Sequence, residues 1–110
     1  MTDIERLSVT DLGAALGERA TLVQFSTAFC QPCRATRRVL ADVSALVPGV
    51  VHIEIDAESR LDLMRRLEIT GTPTVFVLDP AGAVVKRAAG LPRKAEVLAA
   101  LAAAVPAVRL

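Results

Sequence analysis

Tryptophan and tyrosine are absent from this chain, and phenylalanine occurs only at Phe25, Phe29 and Phe76. Three aromatics are too few for the stacked platforms on which single-stranded nucleic acids lie. An excess of charge of either sign is also missing: 13 Lys and Arg stand against 12 Asp and Glu, for a formal net charge of +1. Binding of nucleic acid through bulk electrostatics needs a strongly basic surface, so that class is set aside. No apolar run is long enough to span a bilayer, since the Ala-rich tail over 97–108 is broken by Pro106. The start, Met1-Thr2-Asp3-Ile4-Glu5-Arg6, carries acids and no apolar export segment. The expectation is a cytoplasmic protein with neither a membrane nor a nucleic-acid partner, and a monomer. Its 110 residues, 53% hydrophobic, suit one domain over 1–110, without repeats or linkers.

Cysteine is scarce too, and its placement is informative. The two cysteines lie three positions apart, in Cys30-Gln31-Pro32-Cys33. The apolar run Leu22-Val23-Gln24-Phe25 leads into them, and a helix-compatible stretch, Arg34 to Val47, leads away. A strand that delivers two thiols to a helix start sets them among free N–H groups and a partial positive charge, which favours a thiolate over a thiol. In a reducing compartment such a pair reads as redox-active rather than as a staple. The competing readings are two inert buried thiols or half a zinc site. The chain has one histidine, His52, and two cysteines with one histidine fall short of the usual four ligands. No metal and no cofactor are expected beyond the cysteine pair itself.

Taken in order, residues 4–9 suit a short first strand, and Thr10 a helix cap before 11–16, with Gly17 as the stop. The run 21–26 reads as a strand buried on both faces, interrupted by the polar Gln24. In the following helix Val39, Leu40, Val43, Leu46 and Val47 recur at helical spacing, and Pro32 fits its first turn. Residues 50–56 alternate, with Val51, Ile53 and Ile55 on one face and His52, Glu54 and Asp56 on the other. Ser59 is a candidate cap for a helix over 60–67. Thr70 to Pro73 form a loop before a strand over 74–78. Asp79-Pro80-Ala81-Gly82 turns that strand into a return over 83–88, and a last helix runs over 93–105. The pattern predicts an α/β protein of three layers, a mixed sheet of about five strands flanked by four helices.

With the cysteines between a strand and a helix, the chain resembles the thioredoxin family from about residue 5 to 105. The resemblance rests on Phe29-Cys30-Gln31-Pro32-Cys33, Thr72-Pro73-Thr74 about forty positions on, the hairpin turn, and Gly90 before the last helix. It implies a thioredoxin fold and a thiol–disulfide oxidoreductase that reduces protein disulfides. Cys30 would be the nucleophile and Cys33 the resolving thiol. Pro73 would be the family's cis-proline. Phe29, Gln31, Pro32, Thr72, Pro73, Ala89 and Gly90 would line the substrate groove. The electron donor would be a reductase or a low-molecular-weight thiol. The alternatives are a non-catalytic binding module or redox sensor on the same fold, and a dithiol metal carrier.

Several residues depart from the family pattern. Phe29 replaces a Trp, Gln31 replaces a Gly, and Arg38 falls near a helix proline, so a smaller kink is expected. Gln24 stands where the family has a buried aspartate. The lysine that pairs with that aspartate corresponds to Glu54 without gaps, or to His52 with one. The reading preferred from sequence puts Glu54 beneath the site, bonded to Gln24, with a raised pKa that suits it as proton acceptor for Cys33. His52 is read as a partly exposed strand residue. Arg34, Arg37 and Arg38 are read as a solvated helix face, the alternative being that they steer acidic partners or stabilise a thiolate.

Overall fold

The computed structural model describes residues 5–105. Four strands form one mixed sheet in the order β2-β1-β3-β4. Strand β1 (Ala20–Ser26) is central and buried along its whole length, as a continuous β-prone run without a polar face requires. It pairs in parallel with β2 (Val50–Asp56) and antiparallel with β3 (Thr74–Leu78), and β3 continues through the hairpin into β4 (Val84–Ala89). The edge strand β4 is largely exposed.

Alternate residues of β1 feed two cores. Val23 and Phe25 face one side with Phe76, Leu78 and Ile55, covered by α1 (Val9–Leu12) and α3 (Leu61–Arg66) through Leu12, Leu63 and Met64. Phe25 and Phe76 meet edge to face with centroids 5.1 Å apart. Ala20 and Leu22 face the other side, with Leu40 and Val43 of α2 (Gln31–Leu46) and Val97 and Leu101 of α4 (Lys94–Ala104). The three-layer expectation therefore holds, with four α-helices and a four-stranded sheet among the described residues rather than about five strands.

The missing strand has a local cause. Of residues 4–9, Ile4 lies outside the described residues, and the rest make a single bridge, Arg6 to Ala83. Ser8 then starts a helix: its hydroxyl accepts the Asp11 N–H while the Asp11 carboxylate accepts the Ser8 N–H. This capping box draws Val9 into α1, so the cap is Ser8 and not Thr10. The helix stops at Gly13, in the left-handed region at φ 68°, and not at Gly17. Ser59 likewise caps nothing: it closes a 3-10 turn over Ala57–Ser59 and donates to Asp56, while α3 starts after Arg60. The other elements fall within a residue or two of expectation, except that α2 begins at Gln31.

Candidate functional site

Both cysteines sit at the C-terminal end of β1, on the first turn of α2. Cys30 is the N-cap of α2, and its Sγ accepts the Cys33 N–H at 3.1 Å. A sulfur in that position meets an otherwise unsatisfied helix donor and the positive end of the helix dipole, both of which favour its ionised form. Pro32 occupies the first turn, where it has no N–H to waste, and the Thr36 hydroxyl donates to its carbonyl at 2.7 Å. The two cysteines form a disulfide with a Cα–Cα separation of 5.1 Å. Cys33 is buried at 1% exposure while Cys30 is only partly covered, so attack from outside can reach one sulfur and not the other.

The loop before β3 is tied to the segment that leads into this pair. Thr72–Pro73 is a cis peptide bond. The loop is braced by the Thr74 hydroxyl on the Gly71 carbonyl at 2.6 Å, and by the Gly90 N–H on the Pro73 carbonyl at 2.9 Å. Thr27 and Thr72 join the cysteine loop to the proline loop through their hydroxyls, 3.1 Å apart. Residues 69–72 line both of two open grooves. One, of about 440 Å³, contains Thr72, Pro73, Ala89 and Gly90 of the expected set, and adds Glu68 and Arg87. Arg87 is a fixed wall there, since its guanidinium donates to the Leu67 carbonyl and to Glu5 and lies over the Phe76 ring. The second, of about 310 Å³, runs past Thr27, Leu61 and Met64. Phe29, Gln31 and Pro32 line neither groove. Phe29 stands beside Cys30 at 98% exposure and φ 60°, a backbone conformation that costs a bulky residue energy.

Beneath the cysteines the sequence expectation is corrected. Gln24 is wholly buried, but its partner is His52 and not Glu54. Its amide nitrogen donates to the Cys33 carbonyl at 2.8 Å and to the Ser26 hydroxyl at 2.9 Å. The Gln24 carbonyl oxygen faces His52 Nε2 at 3.1 Å. Glu54 lies directly opposite Gln24 in the β1–β2 register, yet its carboxylate turns outward to a bidentate pair with Arg37, both contacts at 2.7 Å. That guanidinium holds the Glu54 carboxyl below its usual range, against the opposing effect of partial burial, so the expected high pKa does not arise. Arg37 is thus a structural partner of Glu54. Arg34 and Arg38 are exposed, as a solvated helix face requires.

Two relations were missed from sequence. The Arg37–Glu54 pair was legible only in that Arg37 sits one helical turn beyond Cys33, and the Thr27–Thr72 bond carried no signal. Met64 is buried in the core and also lines the second groove.

Burial pushes the His52 imidazole below its ordinary value of 6.5, with Glu54 opposing and Arg37 assisting. In the window just under 6.5 the unfolded chain therefore binds a proton that the folded chain does not, so stability falls as pH falls and levels off below the folded pKa. Urea midpoints of the native protein should drop between about pH 7.5 and 5.5, before most carboxylates titrate, and the drop should shrink in His52→Gln. Equal losses in the two proteins would mean that His52 is not the group responsible.

Comparison with known proteins agrees with this geometry. The family model described as a thioredoxin-like domain matches residues 13–105. Thioredoxin H4-1 of Oryza sativa subsp. japonica is 33% identical over 60 residues, a stretch covering 54% of this chain and 46% of the rice protein. A thioredoxin H-type of Picea mariana is 29% identical over 91 residues, 77% of this chain and 71% of the spruce protein. The match spans less than half the length of the rice relative, and 13% of the human thioredoxin domain-containing protein 2. Among solved structures, a thioredoxin from Halobacterium salinarum superposes with TM-score 0.73 at 18% identity, over 84% of this chain and 80% of its own. One from Nicotiana alata gives 0.70 at 24% identity, over 81% and 76%. At such identities the structures establish the fold, and the family match over most of the sequence establishes kinship: the chain belongs to the thioredoxin-like family.

Proposed function

We propose that the protein is a thiol–disulfide oxidoreductase that reduces protein disulfides through Cys30 and Cys33. The observation that carries this reading is the N-cap position of Cys30, a reachable sulfur hydrogen-bonded to a helix N–H above a buried partner thiol. In the reduced protein the Cys30 thiolate attacks one sulfur of a substrate disulfide. The substrate S–S bond breaks, and its departing sulfur takes a proton from solvent. Cys33 then gives up its proton and attacks Cys30, forming the Cys30–Cys33 bond and releasing the second substrate sulfur. The substrate gains two electrons and two protons, and the dithiol loses them. An external dithiol reductase or a low-molecular-weight thiol returns the protein to its reduced form.

Thr72, Pro73, Ala89 and Gly90 border the groove in which an extended substrate segment lies, with Phe29 as an exposed apolar contact beside the nucleophile. On this reading the protein works as a monomer in the cytoplasm, where a vicinal dithiol is kept reduced. Reduction of insulin with dithiothreitol as electron source tests the activity. Catalysed precipitation of the insulin chains is expected, whereas a binding module would leave the reductant's background rate unchanged. Equilibration with glutathione buffers gives the direction: a reducing potential is expected, and a strongly oxidising one would reassign the protein as a disulfide donor.

A further inference from the structure

The buried amide of Gln24 is fixed by its neighbours. The Cys33 carbonyl can only accept, so the Gln24 nitrogen must face it, 2.8 Å away. The second amide hydrogen goes to the Ser26 hydroxyl at 2.9 Å. The Gln24 oxygen is thereby turned to His52 Nε2, at 3.1 Å, and an oxygen there needs a donor. His52 meets it only with a proton on Nε2; the other neutral tautomer would set two acceptors against each other.

We propose that His52 is a positioning residue for the resolving thiol: its Nε2–H orients Gln24, and Gln24 holds the Cys33 carbonyl and with it the first turn of α2. The proposal rests on the oxidoreductase reading and adds to it a residue that acts through another. His52 touches neither sulfur in this arrangement. Its effect falls on the second step, in which the Cys33 sulfur must close on Cys30, because the Gln24 bond anchors the residue that carries that sulfur to β1. The first attack depends on the Cys30 sulfur, whose N–H donor is the Cys33 backbone within the same helical turn, so it feels the loss of the anchor less than the second step does. Protonation of His52 leaves the Nε2–H in place, so the anchor survives acidification and only the local charge changes. The charged groups facing the ring are Glu54 on its own strand and Arg37 on α2, and they are paired with each other.

Substitutions separate donor geometry from bulk. Gln reproduces an N–H near the Nε2 position, Asn reproduces one near Nδ1, and Leu supplies none. Resolution of a pre-formed mixed disulfide should slow about tenfold in His52→Leu and His52→Asn, the scale of one lost positioning hydrogen bond. It should stay within about threefold of the native rate in His52→Gln. The rate of forming the mixed disulfide should change less than the rate of resolution in all three, since the N–H that bonds Cys30 lies within the helical turn itself. Native resolution in His52→Leu, or equal slowing in all three variants, overturns the proposal. His52 is the chain's one histidine, so selective 15N-histidine labelling gives one ring to read without any substitution. Near pH 7.5 the spectrum should show the Nε2–H tautomer, and an Nδ1–H ring overturns the proposal even if the variants fail to fold. Should the native protein form no mixed disulfide at all, the oxidoreductase reading fails, while the tautomer still reports whether Gln24 and His52 are bonded as described.

Discussion

Cys33→Ser is expected to stop the proposed cycle halfway, with the protein covalently joined to its substrate through Cys30. The native resolving thiol is tethered to its target: it shares a helical turn with Cys30, with Cα atoms 5.1 Å apart. Such tethering gives effective concentrations far above any thiol in solution. With Cys33 removed, an external thiol at millimolar concentration must do the same work, and turnover should fall by about 10³-fold or more. The first attack survives, because the Cys33 backbone N–H that bonds Cys30 is retained in Ser. Non-reducing electrophoresis and intact mass should therefore show a long-lived adduct with a disulfide-bearing peptide, carrying one half of that peptide. Cys30→Ser should show no adduct and no turnover, since a serine hydroxyl is too poorly ionised to replace the thiolate. An adduct on Cys30→Ser and none on Cys33→Ser would reverse the two roles. Native turnover in Cys33→Ser would remove the intramolecular step altogether.

The redox pair was readable because its logic is local. A β-prone run, a cap position, a Pro compatible with the first turn and an amphipathic helix all lie between Ala20 and Leu46, and each agrees with the others. Pro73 came from the family resemblance, and the structure shows its peptide bond as cis, in a loop joined through Thr72 to Thr27 ahead of the cysteines. The proton-handling residues were less readable because the choice there depends on side-chain direction. Glu54 and His52 lie on the same face of β2, and strand register alone favours Glu54, which is the residue opposite Gln24. What decides the matter is a competitor from another element: Arg37 takes the Glu54 carboxylate with two charge-assisted bonds, leaving the buried amide to the imidazole. The first strand failed for a different reason. Its apolar content suits a strand, but Ser8 and Asp11 make a reciprocal cap, and a local hydrogen-bond motif outweighs a short stretch of β propensity.

Gly17→Ala is expected to be strongly destabilising for so small a substitution. The sequence suggests a helix stop at Gly17, but its φ is unremarkable and its role is close approach. A methyl group there would run into the Ala20 carbonyl oxygen and lie 2.8 Å from the Gly49 carbonyl oxygen. Both are backbone atoms at the starts of β1 and β2, so no side chain can swing aside to make room. The same crossing is tied by Gly17 N–H to the Thr21 hydroxyl and by Arg19 N–H to the Gly49 carbonyl, both at 2.9 Å. Relief would have to spread those bonds and the parallel β1–β2 pair behind them. A cost of about 3 kcal/mol, at the upper end for overpacking, is expected. In a domain of this size that lowers the melting temperature by roughly 12–24 °C. Gly13→Ala is the control: its added carbon meets nothing within 4 Å, so only the left-handed backbone at φ 68° is charged against it, about 1 kcal/mol. If the two variants melt together, close approach at Gly17 is not what the fold depends on. The position also separates stability from chemistry, because it fixes the end of β1 opposite the cysteines. Molecules of Gly17→Ala that remain folded should form the Cys30 adduct at the native rate, and a slower rate would mean that the strain travels along β1 to the site.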